Sequence, residues 1–434
     1  MTIQIRNWSE LDVAQRSALL QRPAVADDAS IRTGTEAIID DVRQNGDAAL
    51  RRLTRRYDGV DISELRVSVD EFAHAEAALS SEQIAAIDLA IANVRKFHEA
   101  QLPTDLRVET MPGVLCERVS HPIDAVGLYV PAGTAPLPSA AIMLAVPAGI
   151  AGCPTRILAT PPRPDGNADP AVLVAASRAG VREIYKVGGA QAIAAMAYGT
   201  ATVPKVCKIF GPGNAWVTCA KTLVSSDPAG AAIDMPAGPS EVLVIADADA
   251  SAEFVASDLL AQAEHGVDSQ VILVTTSADL GARVAVEIES QLQQLTRAGI
   301  ARGALEHSRI IVVDDISTAI AVSNQYAPEH LILQIAEPRN ILAQLRNAGS
   351  IFVGPWTPES VGDYCSGTNH VLPTYGFAQA YSGLGVDQFM RQMTVQELSR
   401  EGLESLGAAV VSLAGLEGLD AHAAAVTRRL AVSS

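Results

Sequence analysis

Between about residues 120 and 360 the chain alternates short runs rich in β-branched residues with Ala-rich segments of helical spacing. This alternation constrains the fold more than any other feature. Strands separated by helix-length crossovers pair in parallel, and the helices then cover the sheet. Predicted strands fall at 125–130, 156–159, 183–187 and 208–211, and a second series at 241–246, 270–275, 309–313, 331–335 and 350–353. Predicted helices include 168–179, 190–198, 214–223, 252–265 and 278–295. The expected fold class is α/β, with two parallel-sheet domains of similar layout over 120–237 and 238–360. Residues 1–119 read as a helical N-terminal segment packing on that core. Stretches 30–57 and 80–100 carry apolar residues at three- and four-residue spacing, and Ser80-Ser81-Glu82-Gln83 reads as a helix start. Residues 361–434 read as an active-site loop followed by a small C-terminal segment, from about 386, of a strand or two and then helix. That segment is too small to bury a core alone and is expected to pack on something else, such as another subunit.

Hydrophobic residues make up 48% of the 434-residue chain and aromatics only 4%, which suits close helix-on-sheet packing of small aliphatic side chains. The formal charge of −17, with no basic run, argues against nucleic acid or an anionic membrane as partner. Cys116, Cys153, Cys207, Cys219 and Cys365 show no paired metal-ligand spacing, so neither a disulfide framework nor a Cys-rich zinc site is expected. The N-terminus lacks the apolar core of a signal peptide. The longest apolar stretch, 140–151, is interrupted by Pro147 and falls short of the roughly 18 residues a membrane span needs. A cytoplasmic protein is the expectation.

Chemistry-bearing residues concentrate in four places. The run Gly362 to Thr374 places Asp363, Ser366, Thr368, Asn369 and His370 within eight positions, after the strand at 350–353. The others are Gln262-Ala263-Glu264-His265, Pro328-Glu329-His330 and Glu417-Gly418-Leu419-Asp420-Ala421-His422. Gln262 and His265 share a helix face and can both ligate a divalent metal, although a His near a helix C-terminus is also favoured by the macrodipole. With Asp363 and His422 they make a nitrogen and oxygen donor set suited to zinc, manganese or cobalt. Glu329 and His330 offer two proton-transfer groups of different pKa; the ordinary alternative is a solvated turn. Gly211-Pro212-Gly213-Asn214 opens a helix that can take a pyrophosphate, yet Trp216 stands where a dinucleotide fingerprint needs glycine, and a tight turn is the plainer reading. No P-loop or nucleophile elbow is present. Cys365 reads as a small buried side chain, since no basic neighbour marks it as activated.

Several uncommon blocks, in order, carry a resemblance. They are Val126-Gly127-Leu128-Tyr129-Val130-Pro131, Val187 to Ile193, Phe210-Gly211-Pro212-Gly213-Asn214, Asp234 to Glu241, Gln262 to Gly266, Pro328-Glu329-His330, Gly362 to Thr374, and Glu417-Gly418-Leu419 with His422. Together they resemble the histidinol dehydrogenase family. The resemblance implies Rossmann-like domains and oxidation of L-histidinol to L-histidine through L-histidinaldehyde with two NAD, at the end of histidine biosynthesis. It implies one zinc per subunit held by Gln262, His265, Asp363 and His422, with Glu329 and His330 as the acid/base pair. Substrate contacts would come from Ser240, Gln262, His265, His330, Asp363, Glu417 and His422, with help from His370. Tyr129, Gln191 and Asn214 would contact NAD. The family forms an intertwined homodimer, in which Glu417 and His422 would reach into the partner's site.

Ala132, Thr134 and Cys365 depart from the family's usual residues without touching these roles. Three other readings compete. A relative of the same fold could oxidise another small alcohol such as a sulfonated diol, but Glu417 would repel the sulfonate. A zinc hydrolase activating water through Glu329 would have no use for NAD. A non-catalytic metal-binding protein would not need Glu329-His330.

Overall fold

Each α/β half builds one parallel sheet from its predicted strands. A computed structural model describes residues 3–23, 29–132, 136–236 and 238–432; Thr134 and Ala237 lie outside them. The first sheet runs Glu183–Lys186, Thr155–Thr160, Ala125–Tyr129, Lys208–Phe210, Ala232–Ile233 across its width. The second runs Gln4–Asn7, Arg309–Val312, Gln270–Thr275, Glu241–Ala246, His330–Gln334, Ser350–Val353. All pairings in both sheets are parallel. In each half the first strand lies in the middle, its successors stack to one side, and the fourth crosses to the other. The two halves therefore share a layout and a switch point, which is where doubly wound sheets open a crevice.

The strands Glu241–Ala246 and Gln270–Thr275 are buried at every position. Helices cover both of their faces, so these strands read as continuous apolar runs. Around the first sheet, the helices Ala29–Tyr57, Gly189–Tyr198 and Ala215–Ser225 pack together, and Pro138–Ile150 packs with Ser81–Glu99 and Pro170–Arg178. Pro138–Ile150 is buried almost all round, from Ser139 to Ala148. It is the apolar stretch singled out above: a core helix without an amphipathic period. No helix among the described residues is long and apolar enough to cross a membrane.

The expected helical N-terminal segment is only partly helical. Gln4–Asn7 adds a parallel edge strand to the second sheet beside Arg309–Val312. Leu106–Met111 and Val114–Pro122 form an antiparallel sheet completed by Met390–Leu398 from the far end of the chain. The helices Arg400–Leu416 and Asp420–Leu430 then form a hairpin that leaves Leu413 and Leu416 exposed.

At the first sheet's switch point, Gly211 has φ +119 and a Cβ there would lie 2.1 Å from the carbonyl oxygen of Tyr129. Backbone meets backbone, so nothing can give way cheaply. Gly211→Ala is expected to lower stability by about 2–3 kcal/mol, combining strained φ with overpacking. The denaturation midpoint measures it; an unchanged midpoint would contradict the close approach.

Candidate active site

The second sheet's central strands carry the first functional side chains at their amino ends. Glu241 and His330 open neighbouring strands, with His330 in register with Val242. The preceding helix, Ile316–Tyr326, ends on Ala327 in the left-handed conformation at φ 53, and the chain turns through Pro328 into the strand. Glu329 Oε2 accepts from the Glu241 backbone N–H at 2.9 Å. His330 Nδ1 donates to the Glu241 carbonyl at 3.2 Å, which fixes the ring and aims Nε2 at Asp363 Oδ1, 3.7 Å away. The Glu241 carboxylate is itself held by Arg22, at 2.5 and 3.0 Å, and by the Tyr326 hydroxyl at 3.0 Å.

Asp363 lies on a short helix, Glu359–Tyr364, so the run expected to be loop begins as a helical turn. One turn earlier on the same face sits Glu359, which sequence reasoning missed. Glu359 is 1% exposed, its Oε1 is 3.9 Å from His330 Nδ1, and its Oε2 meets no partner. A Glu four residues before Asp363 was the available signal. The rest of the run is pinned from the first half: Asn93 donates to the Cys365 carbonyl at 2.8 Å, and Asn369 to that of Met143 at 2.8 Å. Cys365 packs against the apolar core around the first sheet but is only half-buried, short of the full burial expected of it.

Gln262 ends the helix Ala252–Ala263, fully buried, and its amide nitrogen meets His265 Nδ1 at 3.2 Å. Its Oε1 is buried without a partner, as is Nε2 of His370. Donor atoms of His265, Glu359 and Asp363 all lie within 4.8 Å of one another. Two carboxylates and an imidazole this close together can hold a metal ion, and the unpartnered buried oxygens of Gln262 and Glu359 fit that reading, because an unpaired buried acceptor costs free energy unless something binds it. Gln262, His265 and Asp363 are thus brought together, beside Glu329 and His330. Ser240 directly precedes Glu241 at the edge of this cluster. Glu417 and His422 are not brought in: both lie exposed on the C-terminal hairpin, and within the chain neither is linked to the cluster by a hydrogen bond or ion pair among the described residues.

The electrostatics follow from burial and crowding. Burial opposes a charge on His330, but Glu359, Glu329 and Asp363 outweigh it and hold its pKa well above the usual imidazole value. Burial pushes Glu329 up to about 8 against the pull of His330, and Glu359 likewise to about 8. Asp363 moves the other way: burial is overcome by His330, which keeps its carboxyl low. Burial lowers His370. Groups with separated pKa values in one pocket are the material of acid/base catalysis.

A second site lies at the carboxyl end of the first sheet. Tyr129, Gln191 and Asn214 line one cleft of about 750 Å³ at the switch point. The buried Tyr129 hydroxyl accepts from the Gly189 N–H at 3.0 Å, and burial pushes it up to about 12. Asn214 caps its own helix, with Oδ1 accepting from Trp216 and Val217 N–H at 3.1 Å.

Comparison with known proteins agrees with this geometry. Residues 20–430 match the family model described as histidinol dehydrogenase. The chain is 56% identical over 432 residues to a histidinol dehydrogenase of Xanthomonas oryzae pv. oryzae, covering 100% of both chains. It is 54% identical to one of Vibrio vulnificus, covering 98% of this chain and 97% of that one. A crystal structure of histidinol dehydrogenase from Elizabethkingia anophelis superposes with a TM-score of 0.95 at 45% identity, over 99% of this chain and 98% of that one. The chain therefore belongs to the histidinol dehydrogenase family of oxidoreductases.

Proposed function

We propose that this chain catalyses the zinc-dependent, NAD-linked, four-electron oxidation of L-histidinol to L-histidine through L-histidinaldehyde, in the last steps of histidine biosynthesis, as a cytoplasmic homodimer. The observation that carries this is His330, ringed by Glu329, Glu359 and Asp363 beside the orphaned Gln262 oxygen. The donor set fits zinc, which takes nitrogen and oxygen ligands and no redox role. Gln262, His265 and Asp363 would hold it, with the partner subunit's His422 as fourth ligand. When bound, NAD supplies the two-electron acceptor for each oxidation and zinc a Lewis-acid grip on the substrate's nitrogen atoms.

The side chains divide the proton work. In its neutral form His330 takes the hydroxyl proton as the carbinol carbon gives up a hydride, leaving the aldehyde. Glu329, in its ionised form and seated on the Glu241 N–H, draws a proton from water as the oxygen adds to the aldehyde carbon, while protonated His330 returns its proton to the former carbonyl oxygen, giving the gem-diol. His330, neutral again, then takes a diol proton as the carbon gives up the second hydride, leaving the acid. Two protons pass through one imidazole and one oxygen comes from water. Ser240 stands beside the cluster as a substrate contact, and His370 adds a neutral, low-pKa imidazole to its wall. Tyr129, Gln191 and Asn214 bind NAD in the neighbouring cleft.

Apolar residues exposed on one chain support dimerisation. Leu416 is 83% exposed, Leu413 61%, and Leu106, Val108, Met393, Val395 and Leu398 are exposed on the antiparallel sheet that the hairpin follows. Such a surface calls for a partner. A carboxylate at Glu417 suits a cationic or nitrogenous substrate and disfavours a sulfonated diol.

Purified protein given L-histidinol, NAD and zinc is expected to form two NADH per histidine. One NADH per substrate would indicate a simple alcohol dehydrogenase, and none would end the proposal. Chelation should abolish the activity and zinc should restore it.

A further inference from the structure

The dinucleotide cleft contains a carboxylate that none of the steps above uses. Asp58 follows the helix Ala29–Tyr57 and lines the same cleft as Tyr129, Gln191 and Asn214. Its Oδ2 is buried and meets no hydrogen-bond partner. Burial pushes the carboxyl up to about 6, so at neutral pH it is ionised with acceptor capacity unused. The other titratable groups lining the cleft are Tyr57, Tyr129, Arg163 and Asp169. Asp169 is spent on capping the helix Pro170–Arg178, accepting from Ala171 and Val172 N–H. Arg163 is exposed and is the only basic side chain among the described lining residues. Apolar walls come from Ile38, Pro131, Pro162 and Trp216.

We propose that Asp58 accepts the vicinal hydroxyls of the adenosine ribose and so makes the cleft select NAD over its 2′-phosphorylated form. Two adjacent hydroxyls can both donate to one carboxylate, whereas a 2′-phosphate there brings like charge against it. This explains why an acceptor with no protein donor persists in a buried position, where an unfilled carboxylate costs stability. The inference rests on the dinucleotide reading of the cleft.

The test is calorimetric titration of NAD and NADP into the zinc-loaded protein and into Asp58→Asn and Asp58→Ser, with melting curves for each. The wild type is expected to bind NAD far more tightly than NADP. Both variants should bind NAD about tenfold more weakly, the loss of one charge-assisted hydrogen bond, while NADP binding stays the same or tightens. Their Tm should not fall, because the carboxylate makes no contact that stabilises the fold. Folded variants with an unchanged NAD-to-NADP ratio, or a Tm that drops with the loss of NAD binding, would overturn the role of Asp58 alone. A wild type that binds neither dinucleotide would remove the dinucleotide reading, and this inference with it.

Discussion

His330→Asn is expected to lower kcat by roughly 10²- to 10⁴-fold, the usual contribution of a positioned general base. Metal content and NAD affinity should stay near wild-type values. Asparagine can still donate to the Glu241 carbonyl that Nδ1 now reaches at 3.2 Å, so the strand end should keep its place. What it cannot do is accept a proton. The change also removes a cation from between three carboxylates, so some stability should be lost and the rate must be taken per folded molecule. The pH profile separates these effects. Only the neutral form of His330 can act as a base, so wild-type kcat should rise with pH as that proton leaves. In the variant this ascending limb should vanish. Full activity in His330→Asn, or an unchanged limb, would refute the assignment.

Strands were legible where burial is complete. The strands Glu241–Ala246 and Gln270–Thr275 match their predicted limits, because two-sided burial writes an uninterrupted apolar run. The helix Pro138–Ile150 was illegible for the same reason: buried all round, it has no polar face to set a period. Leu106–Met111 failed in the opposite way, since within one chain none of its residues is buried, whereas the strand Met390–Leu398 falls where one was expected and pairs with the distant Val114–Pro122.

In the site, polar residues in unusual company announced Gln262, His265, Glu329, His330 and Asp363, but their meeting depends on strand order, which periodicity does not encode. The two sites sit at opposite strand ends. The cleft of Tyr129 and Asn214 lies at carboxyl ends, as the general rule has it. Glu329 and His330 lie at an amino end, where the turn at Ala327 and the anchored run after Asp363 build the pocket instead. Glu359 stayed hidden because the segment that carries it read as the end of a strand leading into a loop, when it is a helical turn that stacks its carboxylate one step from Asp363.

Mixing two inactive variants, Asp363→Asn and His422→Asn, is expected to restore activity. Asp363 sits inside the cluster of its own chain, next to His330, whereas His422 lies on an exposed hairpin with apolar residues around it. A donor set completed by the partner subunit's His422 then needs one intact Asp363 and one intact His422 on different chains. Each variant homodimer has two broken sites. A heterodimer concentrates both lesions in one site and leaves the other whole. With random exchange of equal amounts, half the dimers are mixed and each has one good site, so about one quarter of wild-type activity should return. Subunit exchange must be verified independently, for instance by native mass spectrometry, before the rate is read. Exchange without recovery would mean that His422 serves its own chain or none, and the hairpin would then be an interface without a catalytic part. Zinc content offers a second reading of the same mixture: metal bound per dimer should rise in step with activity, since the site that regains its fourth ligand is the site that regains turnover.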